Sequence, residues 1–174
     1  MRSDDIPPGG IPDPPAIETA RDAARDPLVL AFGRLQGAAN RLEYLLGRAI
    51  EAEFGISHQM FEVLLILARA GGPGISMRAI AQERVLTTGG VTRLVDRMEA
   101  AGLVVRSPDP DDRRGRLVRL TPHGEGLTVR VARLHAGNIR RHLMDPLPAD
   151  HRARFAQDVR TLSIAAGDEL PRLR

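Results

Sequence analysis

The sequence predicts a mainly α-helical protein that carries a small two- or three-stranded β-hairpin. Three observations predict this class. Apolar residues recur at alternating steps of four and three along most of the chain, which places them on one face of a helix. Most of these stretches open on a Ser, Thr or Asp cap, twice followed by proline, the pairing that starts helices. Only Leu103-Val104-Val105-Arg106 and Leu117-Val118-Arg119-Leu120 are short and β-rich, and they flank one loop of turn formers, the pattern of a hairpin.

The elements follow in order. Residues 1–26 hold five prolines in the first fifteen positions and six acids against three arginines. That composition predicts a disordered, Pro-rich acidic tail. Asp26-Pro27 reads as an N-cap followed by proline at the first helical position. The stripe Leu28, Phe32, Leu35, Ala39, Leu42, Leu46, Ala49 then predicts one long helix, regular enough to want a helical partner. Ser57 caps a helix carrying Phe61, Leu64, Leu65 and Ala68, which Gly71-Gly72-Pro73-Gly74 stops. Ser76 caps a short helix, 77–84, with Ile80 and Ala81 buried. Val85 and Leu86 form a tight connection, and Thr87 caps the next helix, which runs to Ala101 and ends at Gly102. Two short helices so briefly linked outline a helix-turn-helix. Thr121-Pro122 opens a helix through about Met144 with Leu127, Val131 and Leu134 on one face, and Asp145-Pro146-Leu147-Pro148 breaks it. A last helix, about 149–166, shows Phe155, Val159, Leu162 and Ala166. Residues 27–166 therefore read as a single domain, followed by a tail, 167–174.

Composition narrows the chemistry. There is no cysteine, which excludes disulfides, thiolate metal sites and thiol redox switches. No apolar run reaches membrane-spanning length, and no charged segment followed by an apolar one opens the chain, so a cytoplasmic protein without membrane contact is expected. All 25 basic residues are arginine, although the formal net charge is only +3. Arginine grips phosphates and guanine edges with a planar fork where lysine offers a point charge.

The candidate site lies in two neighbouring segments. On the helix after Thr87, the residues Val91, Leu94, Val95 and Met98 take the i, i+3, i+4, i+7 positions of a core face. The opposite face presents Thr88, Gly89, Thr92, Arg93 and Arg97. Glycines at 89 and 90 each cost the helix about 1 kcal/mol relative to alanine, a cost that makes sense where the backbone must come close to something. Arg93 and Arg97 lie one turn apart and have Asp96 and Glu99 as nearby pairing partners. The loop Ser107–Gly115 then places two prolines and three acids before Arg113, Arg114 and Arg116. Pro108 and Pro110 stiffen its approach, Gly115 supplies the turn and Asp112 orients a neighbouring guanidinium. A helix fits the major groove of a duplex, and an arginine-tipped hairpin reaches the adjacent minor groove. Ser76, at the head of the preceding helix, joins this set.

The stretch TTGGVTRLVDRMEAAGLVVRSPDPDDRRGRLVRLTPHGE, residues 87–125, resembles the recognition helix and wing of the MarR (multiple antibiotic resistance regulator) family. Its most specific part is Asp112-Arg113-Arg114-Gly115 followed by Leu120-Thr121 and Gly124. The resemblance covers about residues 27–166. It implies a winged helix-turn-helix over about 57–120, with helices at about 27–52, 121–144 and 149–166 building a homodimer. It also implies a transcriptional regulator, a repressor or activator, that binds double-stranded DNA at a pseudo-palindromic operator. The recognition helix 87–101 would enter the major groove and the wing 107–117 the minor groove. A small phenolic or other aromatic effector is implied as the ligand that releases DNA; no other cofactor is expected. The helices outside the small DNA-reading module carry more apolar stripe than that module covers, which independently favours a dimer. A twofold dimer sets its two recognition helices about 34–36 Å apart.

Three other classes are weighed. No nucleophile–base spacing or phosphate-binding glycine loop appears, so no enzymatic activity is expected, and His123 and Glu125 read as surface or capping residues. A metal-responsive sensor would have to use His135, His142 and His151, but the first two lie two turns apart and cannot share an ion unaided. A non-specific architectural DNA-binding protein would spread its charge, whereas here it is gathered on one helix and one hairpin.

Overall fold

The computed structural model describes residues 17–84, 88–110, 112 and 115–169, and only the backbone of residues 84, 88, 89, 168 and 169. Contacts divide the chain into two units, residues 1–45 and 46–174. In the first, residues assigned to the tail on composition form a single helical turn, α1 (Ala20–Ala23). The cause is local: the Thr19 hydroxyl accepts from the Asp22 amide while the Asp22 carboxylate accepts from the Thr19 amide, a reciprocal capping box. The long helix α2 (Pro27–Phe54) begins where the cap-plus-proline signature places it. Oδ1 of the buried Asp26 accepts from the amides of Leu28 and Val29 at 3.0 and 2.9 Å. The predicted stripe is present but uncovered over the first unit: Leu28, Leu35 and Ala39 are exposed, and Phe32 is 66% exposed.

The second unit starts with Leu46 and Ile50, both buried. It continues through α3 (His58–Ala70), capped by the Ser57 hydroxyl on the Met60 amide, α4 (Met77–Arg84) and α5 (Thr88–Ala100). Six of the thirteen residues of α3 are buried, among them Met60, Val63, Ile66 and Leu67 beyond the expected Phe61 and Leu64. α3 is thus a central helix rather than a one-sided surface one. Ile80 and Ala81 of α4 and Val91, Leu94, Val95 and Met98 of α5 join the same core, as their spacing requires. Val85, Leu86 and Thr87, the expected connection and cap, lie outside the described residues.

Strands β2 (Val104–Pro108) and β3 (Arg116–Leu120) pair antiparallel with Val104 opposite Leu120 and Pro108 opposite Arg116. β1 (Ile75–Ser76) adds a third strand on the far side of β3, Ile75 opposite Val118, so the order is β1-β3-β2. Ser76 therefore does two things: it ends β1, and its hydroxyl accepts from the Ala79 amide to cap α4. Gly102, at φ +68°, ends α5 in the left-handed region as expected.

α6 (Pro122–Ile139) starts on Thr121, whose hydroxyl both accepts from the Gly124 amide and donates to the Gly102 carbonyl at 2.6 Å. The Leu103 carbonyl crosses this helix start so closely that a Cβ on Gly124 would lie 2.0 Å from its oxygen. α6 continues into a wider, π-helical turn at Arg140–Met144 before the proline break. α7 (Arg152–Glu169) closes the described chain. Phe155 is half-buried, and Val159, Leu162 and Ile164 on α7 are exposed.

Candidate nucleic-acid interface

The site is assembled on α5 and the β2–β3 hairpin. Burial of Val91, Leu94, Val95 and Met98 turns the other side of α5 outward, and there Thr92, Arg93 and Arg97 are all exposed. The backbone of Thr88 and Gly89 forms the first turn of the same helix. Asp96 and Glu99, the nearby acids on which Arg93 and Arg97 could have been spent, are engaged elsewhere. Both acids are taken by Arg106 of β2, which reaches Asp96 Oδ1 and Glu99 Oε2 at 2.6 Å each. The other oxygen of Glu99 accepts from the Arg106 backbone amide at 3.1 Å. One guanidinium thus closes a fork over two carboxylates a turn apart on the helix, a geometry lysine does not reproduce.

Two consequences follow. The strand leading into the hairpin is fastened to the outward side of α5. The acids that could neutralise that side are also engaged, and Arg93 and Arg97 make no hydrogen bond or ion pair among the described residues. Burial works against the charge of the half-buried Arg106, but the hydrogen bonds it donates to Asp96 and Glu99 outweigh this and raise its proton affinity above the ordinary arginine value.

At the hairpin tip, Arg113 and Arg114 lie outside the described residues, as does Asp111. Asp112 is exposed, and Arg116 is exposed with its guanidinium donating to the Gly115 carbonyl at 3.1 Å. The turn is closed by the Gly115 amide on the Asp112 carbonyl and the Asp109 amide on the Gly115 carbonyl. Gly115 is needed here for room and not for a left-handed backbone: a Cβ would sit 2.9 Å from the Asp109 Cβ and 3.1 Å from the Asp112 Cβ. The structure therefore brings Thr92, Arg93, Arg97 and the strand bearing Arg116 together around the Arg106 clamp. Ser76, on β1, pairs with that same strand opposite Leu117, and its hydroxyl is committed to the α4 cap.

Arg106 is the participant that residue-by-residue reading missed. The available signal was a lone arginine in a β-rich run, seven residues beyond a glutamate that shares a helix face with an aspartate. Among the described residues no group of three or more His, Cys, Asp or Glu is arranged to hold a metal ion. His135 meets His58 rather than His142 or His151. No described helix is long and apolar enough to cross a membrane.

Comparison with known proteins gives a consistent picture. The family model described as MarR family matches residues 54–115, which span α3 to the wing. The transcriptional activatory protein BadR of Rhodopseudomonas palustris is 37% identical over 63% of this chain and 62% of its own length. The HTH-type transcriptional regulator PecS of Dickeya dadantii is 31% identical over 67% of this chain and 72% of its own. Among solved structures, Sco3205 of Streptomyces coelicolor, a MarR family transcriptional regulator in complex with DNA, superposes with a TM-score of 0.71. It is 26% identical, covering 87% of this chain and 91% of that one.

Proposed function

Because the chain belongs to the MarR family of transcriptional regulators, we propose that it is a sequence-specific double-stranded DNA-binding regulator. In this reading it acts as a ligand-responsive homodimeric repressor on a pseudo-palindromic operator. α5 enters the major groove, with Thr88, Gly89, Thr92, Arg93 and Arg97 facing the bases and phosphates. The wing, with Arg113, Arg114 and Arg116, reaches the neighbouring minor groove. The observation that carries the reading is the Arg106 clamp. It occupies both acids of α5, leaves Arg93 and Arg97 facing outward, and ties the arginine-bearing hairpin to that same helix.

The dimer is supported by apolar surface that a single chain leaves wet: Phe32 and Leu35 on the first part of α2, and Leu162 and Ile164 on α7. Large apolar side chains left exposed along a helix are the character of a protein interface. A cleft of about 620 Å³ lies between the α2–α3 turn, the start of β2 and the first turns of α6, lined by Phe54, Ile56, Leu103, Leu127, His123 and Arg130. Its apolar residues, with Glu53, His123 and Arg130 as polar groups on the same lining, suit a small aromatic or phenolic effector.

The test is selection of bound sequences from a pool of random duplexes, followed by footprinting and measurement of the mass of the complex. A two-chain complex protecting two half-sites one helical turn apart is expected. A one-chain complex on a single asymmetric half-site, or equal affinity for selected and random duplex at one salt concentration, overturns the reading.

A further inference from the structure

Between α3 and α6 lies a titratable cluster that the DNA-reading surface does not use. His58 opens α3 and His135 sits within α6, their ring centroids 5.3 Å apart and their planes tilted by 45°. The edge of Phe61 meets His135 at 5.2 Å. The Nδ1 atoms of both histidines are buried with no hydrogen-bond partner among the described residues. Glu62, one turn along α3 from His58, is the acid that acts on His135. On the α2 side the neighbour of His58 is a glycine: at Gly47 an added Cβ would come within 3.3 Å of the His58 Cβ. The next charged residues of α2, Arg48 and Glu51, are exposed and pair with each other.

We propose that the His58–His135 contact is a proton-sensitive latch between α3 and α6, closed while the His135 ring is neutral and opened by mild acid. Burial lowers the proton affinity of His135 below that of a free imidazole, and His58 lowers it further, while Glu62 pulls the other way. A proton on the His135 ring is partly balanced by Glu62, but it places a cation against the His58 ring and the edge of Phe61. Relief comes by separating the rings, and with them the helices. α3 also packs against α5 and β3, so its displacement disturbs the platform under the recognition surface. Acid then weakens operator binding. That sign is opposite to the general effect of adding positive charge to a DNA-binding protein, which strengthens phosphate attraction.

The sign for stability agrees. A histidine whose proton affinity is lower folded than unfolded stabilises the fold while neutral. That contribution is complete above the free value of 6.5 and is lost as pH falls below it toward the folded value.

The latch rests on the proposed DNA-binding function only for its effect on the operator, so two readouts are taken on the full chain between about pH 8 and about pH 5.5, the range in which histidine titrates. One is the thermal midpoint, and the other is affinity for the selected duplex. As pH falls, the midpoint should drop and affinity should weaken several-fold. His135→Gln should flatten both profiles, and His151→Gln, on an exposed histidine, should leave them as in the parent. Should His135→Gln not fold, His58→Gln and the titration of the imidazole NMR signals take its place. A midpoint that is flat or rises with acid, an unaltered response in the variant, or a His135 ring titrating at the free value overturns the latch. A chain that binds no duplex at any pH sinks the DNA reading, while the midpoint still decides the latch.

Discussion

Gly124→Ala puts one methyl group where the chain crosses itself. The new Cβ would lie 2.0 Å from the Leu103 carbonyl oxygen, 2.9 Å from its carbon and 3.3 Å from its Cα. The obstacle is backbone, so no side chain can swing aside. Restoring a van der Waals separation requires the start of α6 to move by about 1 Å or more from a carbonyl it also hydrogen-bonds. Overpacking of this kind costs about 1–3 kcal/mol. Thr121, which donates its amide to Leu103 and its hydroxyl to Gly102, stands to lose about 0.5–1.5 kcal/mol for each bond stretched. Replacing glycine by alanine in a helix returns at most about 1 kcal/mol. The net is roughly 2–4 kcal/mol of destabilisation, which lowers the thermal midpoint of a chain this size by roughly 5–15 °C. Gly126→Ala is the control, two residues along the same helix, where an added Cβ meets nothing within 4 Å. Urea unfolding of both variants is compared with the parent at one protein concentration. If the two alanines differ by less than about 0.5 kcal/mol, the close-approach argument is wrong.

Other substitutions test other joints. Arg106→Ala removes the clamp from Asp96 and Glu99 and should cost about 1–2 kcal/mol, the lower end reflecting the solvent that screens both carboxylates. Arg106→Lys should recover less than half of this in urea unfolding, since an ammonium cannot span both acids. Asp26→Ala removes the acceptor for the Leu28 and Val29 amides and should lower stability by about 1 kcal/mol, read by circular dichroism during unfolding. In duplex binding, Arg93→Ala should cost roughly 1–3 kcal/mol and relax preference at one base pair if it reads guanine. Arg114→Ala should flatten the salt dependence by about one unit of slope.

Elements whose signals are local could be read from the sequence, and those made by distant partners could not. The starts of α2, α3 and α6 were legible because Asp26, Ser57 and Thr121 act on amides two or three residues away. The core face of α5 was legible because helical spacing alone sorts Val91, Leu94, Val95 and Met98 inward. The strand Ile75–Ser76 was not, because two residues carry no periodicity and their pairing depends on Val118, more than forty positions on. Arg106 was missed for a related reason. Pairing arguments along a helix favour neighbours three or four residues apart, and they offered Arg93 and Arg97 as the partners of Asp96 and Glu99. The fold instead delivers a strand residue that reaches both acids at once. His135 was weighed against His142 and His151, both later in the chain, while its contact, His58, comes from a helix far earlier. The wide turn at Arg140–Met144 has no sequence signal we can identify.

The order β1-β3-β2 has a consequence for how much length this region tolerates. β3 is held on one side by the two residues that run straight into α4 and on the other by the strand that leaves α5. A residue inserted between Ser76 and Met77, or within Val104–Pro108, would rotate side chains from core to water and misalign a whole helix. Extra residues between Pro108 and Arg116 would only lengthen the finger. Variation in size among relatives should therefore collect at the fingertip, leaving the knuckles unchanged.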